Sequence, residues 1–184
     1  MAKKRALVMT PEFRLSFPAL FEMREYNEKK SYGLTMLFDK GTDLSQLKAA
    51  AKAALDEAFP KGVKNPRTPF LDGDDKVDEW GEGFKGKIYV RASTQFKPQV
   101  VDQNRVAIFD ADKVYPGCYC RAVVSPYTYD NSGNRGVSFS LEAFQFIRDG
   151  ERIGGGVSAD IFDDGKVQGD APVASDNDDV PFGL

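Results

Sequence analysis

The sequence predicts a mainly β domain carrying one amphipathic helix and an acidic, disordered C-terminal tail. Three observations predict it. Short runs of aromatic and β-branched residues alternate with polar ones, punctuated by ten Pro and seventeen Gly in 184 residues, as in short strands joined by many turns. One segment, about 43–59, instead repeats its apolar positions at helical spacing. The last fifteen residues, DAPVASDNDDVPFGL, hold four Asp and two Pro with no Lys or Arg, too little apolar surface to offset the entropy of ordering. The expected division is a folded domain over 1–159 and a tail over 160–184.

Each element follows from its own pattern. Ala6 to Phe17 reads as one strand, with Phe13, Leu15 and Phe17 alternating with Arg14 and Ser16. Glu22 to Lys29 reads as a polar loop. Tyr32, Leu34, Met36 and Phe38 form the apolar face of a second strand. The helix has Leu44, Leu47, Ala51, Ala54, Leu55 and Ala58 on one face, Asp43 and Gln46 as a capping box, and Pro60 and Gly62 as its stop. Residues 63–84 read as loop. Ile88, Val90 and Ala92 then alternate with Lys87, Tyr89, Arg91 and Ser93. Cys118, Cys120, Ala122 and Val124 alternate with Tyr119, Arg121, Val123 and Ser125. Asp130 to Asn134 is a hairpin turn, and Val137, Phe139 and Leu141 lead back. Phe144 and Phe146 are out of phase with them, which predicts a bulge near Glu142 or Ala143.

Composition removes whole classes of function. The chain has no histidine, so Ser-His-Asp and Cys-His machinery are excluded. Cys118 and Cys120 lie two apart on one strand face, where a disulfide would be strained and zinc would lack ligands; they read as buried core thiols. No apolar run reaches the ~18–20 residues needed to span a bilayer, and the basic N-terminus lacks the apolar region of a signal peptide. A cytoplasmic protein with no membrane contact is expected. Charge is uneven: residues 160–184 have seven Asp and one Lys, hence −6, whereas 1–159 have 24 basic and 21 acidic residues, hence +3.

Cations interleaved with aromatics on strand faces suit single-stranded nucleic acid, because Lys and Arg follow phosphates while ring faces stack on any base. The candidate binding residues are Lys87, Tyr89, Arg91, Phe96, Lys97, Tyr119, Arg121 and Tyr127. An ordinary solvated sheet face is the plain alternative. An acidic cluster, Asp72, Asp74, Asp75, Asp78 and Glu79, raises a metal-dependent nuclease as a competing class, with Asp72, Asp74, Asp75 or Glu82 on magnesium beside Lys85, although Val77 and Gly83 stand where an EF-hand requires Gly and Glu. A non-catalytic assembly protein is the third class. No cofactor is implied.

Three stretches resemble a phage single-stranded DNA-binding protein family. They are Gly86–Ser93 with Lys97–Asp102, Tyr115–Ala122, and Tyr129 through Gly133-Asn134-Arg135-Gly136-Val137 to Arg148–Arg152. The resemblance implies an OB-fold barrel that coats single strands in replication, recombination or repair and catalyses nothing, within an infected bacterium. The end of the tail, Asp176, Asp178, Asp179, Val180, Pro181 and Phe182, is similar to the acidic tail of bacterial single-stranded DNA-binding proteins. That implies docking of phage or host replication proteins; self-association is left open. Here Phe182 is followed by Gly183-Leu184, so a pocket that reads a terminal Phe would be met differently.

Overall fold

The computed structural model describes residues 5–153. The tail, including Asp176, Asp178, Asp179, Val180, Pro181 and Phe182, lies outside the described residues. Eight strands form one sheet: β1 (Val8–Met9), β2 (Phe13–Tyr26), β3 (Lys29–Asp39), β4 (Leu71–Asp72), β5 (Lys87–Thr94), β6 (Gln99–Val101), β7 (Tyr119–Asn131) and β8 (Asn134–Arg148). The helices are α1 (Ser45–Ala58) and the single turn α2 (Val77–Trp80).

Five long strands close on themselves. β2 pairs antiparallel with β3, and β3 with β5. β5 runs parallel to β8, meeting it at Ala92↔Phe139, and β8 is the hairpin partner of β7. β7 returns to β2 through Phe13↔Cys120. This ring, with its one parallel contact, has the connectivity of an OB-type barrel. Its interior takes the predicted alternating faces: Phe13 and Leu15, Leu34, Met36 and Phe38, Val90 and Ala92, Cys118 and Cys120, Phe139 and Leu141. α1 inserts Leu44, Leu47 and Ala51 into the same core. The two thiols are free and buried, with Sγ atoms 3.3 Å apart.

Local chemistry explains the departures from expectation. The first strand is two, because Pro11 has no N–H to continue the ladder. Thr10 spans the gap: its N–H donates to Ala122 O at 2.8 Å, and its Oγ1 accepts from Ala122 N. The supposed loop at 22–29 is strand up to Tyr26, and only Asn27 and Glu28 turn, both at positive φ (48° and 64°), as a two-residue hairpin demands. Phe17 does not continue the inward face. It sits at φ 46° beside a register shift and turns its ring outward. The capping box is absent: Leu44 is the N-cap, and Asp43 Oδ1 accepts from Ser45 N at 3.0 Å. Ala58 is exposed. The bulge is where it is expected, since Val123↔Ala143 and Val124↔Leu141 leave Glu142 unpaired between them. The β7–β8 turn is Ser132-Gly133, at φ 55° and 88°.

The largest departure is 63–84. This segment contains β4, a 3-10 turn at Gly73–Lys76, α2 and a second 3-10 turn at Glu82–Phe84. Together they bring Trp80 and Phe84 onto the outer face of the sheet, where they pack with Leu37, Tyr89 and the diverted Phe17. Trp80 meets Phe17 and Tyr89 edge-on, each at 5.5 Å between centroids. Edge-to-face contacts such as these add about 0.5–1.5 kcal/mol beyond area burial.

Candidate nucleic-acid interface

The side of the ring facing away from the core is built from period-two positions. β3 contributes Ser31, Gly33 and Thr35; β5 contributes Arg91 and Ser93; β8 contributes Ser138 and Ser140; β7 contributes Ser125, Tyr127 and Tyr129. The register aligns them in rows: Thr35↔Arg91, Gly33↔Ser93, Ser93↔Ser140, Ser125↔Ser140 and Tyr127↔Ser138. The floor is therefore small and hydroxyl-rich. Thr35 and Ser125 are buried, whereas Ser31, Ser93, Ser138 and Ser140 are half-buried and can bond to phosphate and sugar oxygens.

A groove of about 460 Å³ opens over one part of this floor. Its walls are Tyr26 and Lys29 from the β2–β3 hairpin tip, Phe96 from the β5–β6 connection, Tyr127, and Arg5. Phe96 is 78% exposed; its N–H donates to Thr94 Oγ1 at 3.1 Å, which fixes the turn that presents the ring. Glu142, the bulged residue, anchors the rim. It stands 3.5 Å from the Arg5 guanidinium and accepts from Ser125 Oγ at 2.5 Å. Bulges commonly re-aim side chains in this way.

A second cavity of about 500 Å³ takes in Arg67, Arg91, Tyr129 and Ser138. Tyr127 of the first groove pairs with Ser138 of this cavity, so the two adjoin along β7 and β8. Arg91 stands at its boundary with the aromatic cap, its guanidinium 5.2 Å from the Trp80 ring and 5.5 Å from the Tyr89 ring. Desolvation lowers its pKa from the ordinary arginine value. Arginine starts so high that it remains charged at neutral pH.

The eight residues singled out from sequence do not form one patch. Phe96 and Tyr127 line the groove, Arg91 lines the adjoining cavity, and Lys97 is exposed beside Phe96. Tyr89 is only 4% exposed beneath Trp80 and Phe84. The expectation that its ring faces solvent is corrected: its role here is packing, and burial raises its phenol pKa. Lys87 is ion-paired with Asp39 across the β3–β5 ladder. Tyr119 carries the guanidinium of Arg148 at 3.6 Å and that of Arg14 at 5.6 Å. Arg121 donates to Gln145 Oε1 at 2.5 Å, farther along β7.

Arg5, Tyr26, Lys29, Arg67 and Tyr129 were missed. Tyr26 and Lys29 fell within the supposed loop, because the flanks Glu22–Tyr26 and Lys29–Ser31 are mostly polar and Asn-Glu lacks the glycine that marks most two-residue hairpins. The acidic cluster has its own geometry. Lys40 bridges Asp72 at 2.8 Å and Asp74 at 2.5 Å, while Asp74 Oδ1 accepts from Gly86 N at 2.7 Å. Those bonds lower both carboxyl pKa values, Asp72 mainly through Lys40 and Asp74 mainly through Gly86. These two carboxylates hold the cap onto β3 and β5.

Known proteins resemble this chain over most of its length. The protein p50 of Acyrthosiphon pisum secondary endosymbiont phage 1 is 39% identical over 168 residues, 82% of this chain and 89% of that relative. The solved single-stranded DNA-binding protein from bacteriophage Enc34 in complex with ssDNA superimposes with a TM-score of 0.70 at 19% identity, covering 80% of this chain and 89% of that one. The gp2.5 single-stranded DNA-binding protein encoded by bacteriophage T7 gives a TM-score of 0.61 at 14% identity, covering 86% and 99%. These structural likenesses carry the fold. A family profile described as Enterobacter phage Enc34, ssDNA-binding protein, matches residues 6–172, and the chain belongs to that family.

Proposed function

We propose that this protein binds single-stranded DNA without sequence preference, along the outer face of its sheet, and that it protects and presents the strand in phage replication, recombination or repair. The observation that carries this reading is the groove in which Tyr26, Phe96 and Tyr127 stand with Arg5 and Lys29 above a serine floor. Rings of this kind stack on unpaired bases, and the cations follow the backbone. From the groove the strand continues over Ser138 towards Arg91, Arg67 and Tyr129, with Lys97 at the rim.

The test is fluorescence anisotropy of a labelled oligothymidine at several salt concentrations, with a duplex control. Binding to the single strand should weaken steeply with salt, because each neutralised phosphate contributes about −0.7 to the log–log slope. Phe96→Ala and Tyr127→Ala should each weaken binding by roughly 5- to 150-fold, the equivalent of ~1–3 kcal/mol per stacked base. Unchanged affinity in the double variant would remove the groove from the reading.

The tail belongs to the same proposal. Its charge of −6 against a body of +3 makes it a polyanion that competes with DNA for the cationic face and, when displaced, is presented to replication proteins. Deleting residues 170–184 should tighten DNA binding at low salt and have little effect at high salt, where exposed charges are screened. Equal affinity at low salt with and without the tail would refute the competition.

A further inference from the structure

Between α1 and the 62–70 segment lies a cleft of about 540 Å³. It shares Pro66, Arg67, Thr68, Pro69 and Val137 with the Arg91 cavity, so groove, cavity and cleft follow one another. Backbone and side chain fix the junction. Arg67 N–H donates to Arg135 O at 2.9 Å, Val137 N–H to Arg67 O at 3.3 Å, and Arg67 Nε to Asn134 Oδ1 at 2.7 Å. Gly136 lets it close, since a Cβ there would lie 2.5 Å from the Tyr129 hydroxyl and 2.9 Å from Arg67 Cβ. Leu55, Phe59, Val63 and Phe70 make apolar walls for the cleft, and Lys48 and Lys52 also line it.

We infer that single-stranded DNA continues past Arg67 into this cleft, a second stacking position beyond the sheet, with an unpaired base against Phe59 and Phe70 and the flanking phosphates on Lys48 and Lys52. The inference rests on the sheet-face reading and adds a site to it. Charge selects the direction. A strand that has reached the Arg91 cavity, which is lined by Arg67 and Arg91 and no carboxylate, has two ways on. Over the cap, residues 71–85 carry six carboxylates and two lysines, a net −4. Over α1 and the segment after it, residues 45–70 carry five cations and two carboxylates, a net +3. A phosphate backbone is repelled by the first and drawn to the second.

The interior suits a base. Phe59 and Phe70 are half-buried, and apolar walls accept the π-face that every base presents, which keeps the site tolerant of sequence. The Lys48 ammonium stands 5.8 Å from the Phe70 ring, so one residue places a cation beside the ring that takes the base. Lys52 is paired with Asp56 at 2.7 Å. That pair is solvent-exposed and of small worth, so a phosphate can take its place.

The test uses the full-length protein and oligothymidines of about 5 and about 15 nucleotides, near the two ends of the range one OB-fold covers. In the 15N-labelled chain the longer strand should shift the amides of Leu55, Val63 and Phe70 as well as those of Ser93 and Tyr127, and the shorter strand only the latter pair. Lys48→Ala with Lys52→Ala, both exposed, should weaken the longer strand at least threefold at low salt and leave the shorter within twofold. Its log–log salt slope should become shallower by about 1.4, for two phosphates at about 0.7 each. Phe96→Ala with Tyr127→Ala, the groove control, should weaken both lengths. Groove amides that shift while those of the cleft stay still, or an unchanged slope in the lysine variant, would overturn the extension and leave the groove standing. A groove control that binds both lengths normally would instead sink the sheet-face reading, and the extension with it.

Discussion

Tyr89 and Tyr127 show how much of the interface individual residues reveal. Both occupy outward positions of strands whose inward neighbours are apolar, and from alternation alone they are equivalent. What separates them is remote in sequence: Trp80 and Phe84 cover Tyr89, whereas Tyr127 borders an open groove. Tyr89→Ala should therefore destabilise the fold by about 3–5 kcal/mol, in the manner of a buried aromatic truncation, read as a lower urea midpoint. Tyr127→Ala, at a half-buried position on the groove, should lower that midpoint less than Tyr89→Ala does while weakening DNA binding. The inward residues were legible because burial enforces period two; Phe139, Leu34 and Val90 are fully buried as read. The outward ones were not, since a sequence does not say what lands on a face.

At the scale of elements, the hairpin at Ser132-Gly133 and the bulge at Glu142 were legible because each has a local signature, a turn dipeptide and a break in phase. The cap over 71–84 had none. Its glycines and carboxylates resemble loop, and its order depends on contacts with β3 and β5. One such contact is Gly73, where a Cβ would lie 2.3 Å from Phe84 O and 2.8 Å from Lys87 O. Another is the Lys40 bridge to Asp72 and Asp74, which makes the cap sensitive to acid. The carboxyl pKa values of Asp72 and Asp74 are depressed, so their contribution is complete above the ordinary carboxylate value of ~3.9. It is lost as pH falls through the depressed folded values. Lys40 is raised, so its contribution is complete below ~10.4 and lost only as pH rises through the raised value. Urea unfolding followed by Trp80, the single tryptophan, should be level from pH 5 to 9 as far as this clamp is concerned and weaken below about pH 4. Lys40→Ala should make that acid limb shallower without abolishing it, because Asp74 still accepts from Gly86 N; an unchanged limb would mean that the Lys40 bridge contributes nothing.

For the whole molecule, the mainly β class and the long helix α1 followed from composition and periodicity, while the closed ring followed from the resemblance. Strand patterns identify faces, not neighbours. The pairing of β2 with β7 joins Phe13 to Cys120, positions 107 apart, and the parallel contact of β5 with β8 joins Ala92 to Phe139, positions 47 apart. Closing the ring sets a timetable for folding. The hairpins β2–β3 and β7–β8 need only near neighbours and can form early, but the wall between them waits for long loops to close. Refolding should fall in the milliseconds-to-seconds range of domains dominated by distant pairings, and stopped-flow fluorescence of Trp80 would time it. On the ribosome the first strand has no partner across the ring until about two thirds of the chain has emerged. For that interval it must stay soluble by itself, and Arg14, Glu12 and Pro11, which interrupt its apolar run, are the residues that keep it so.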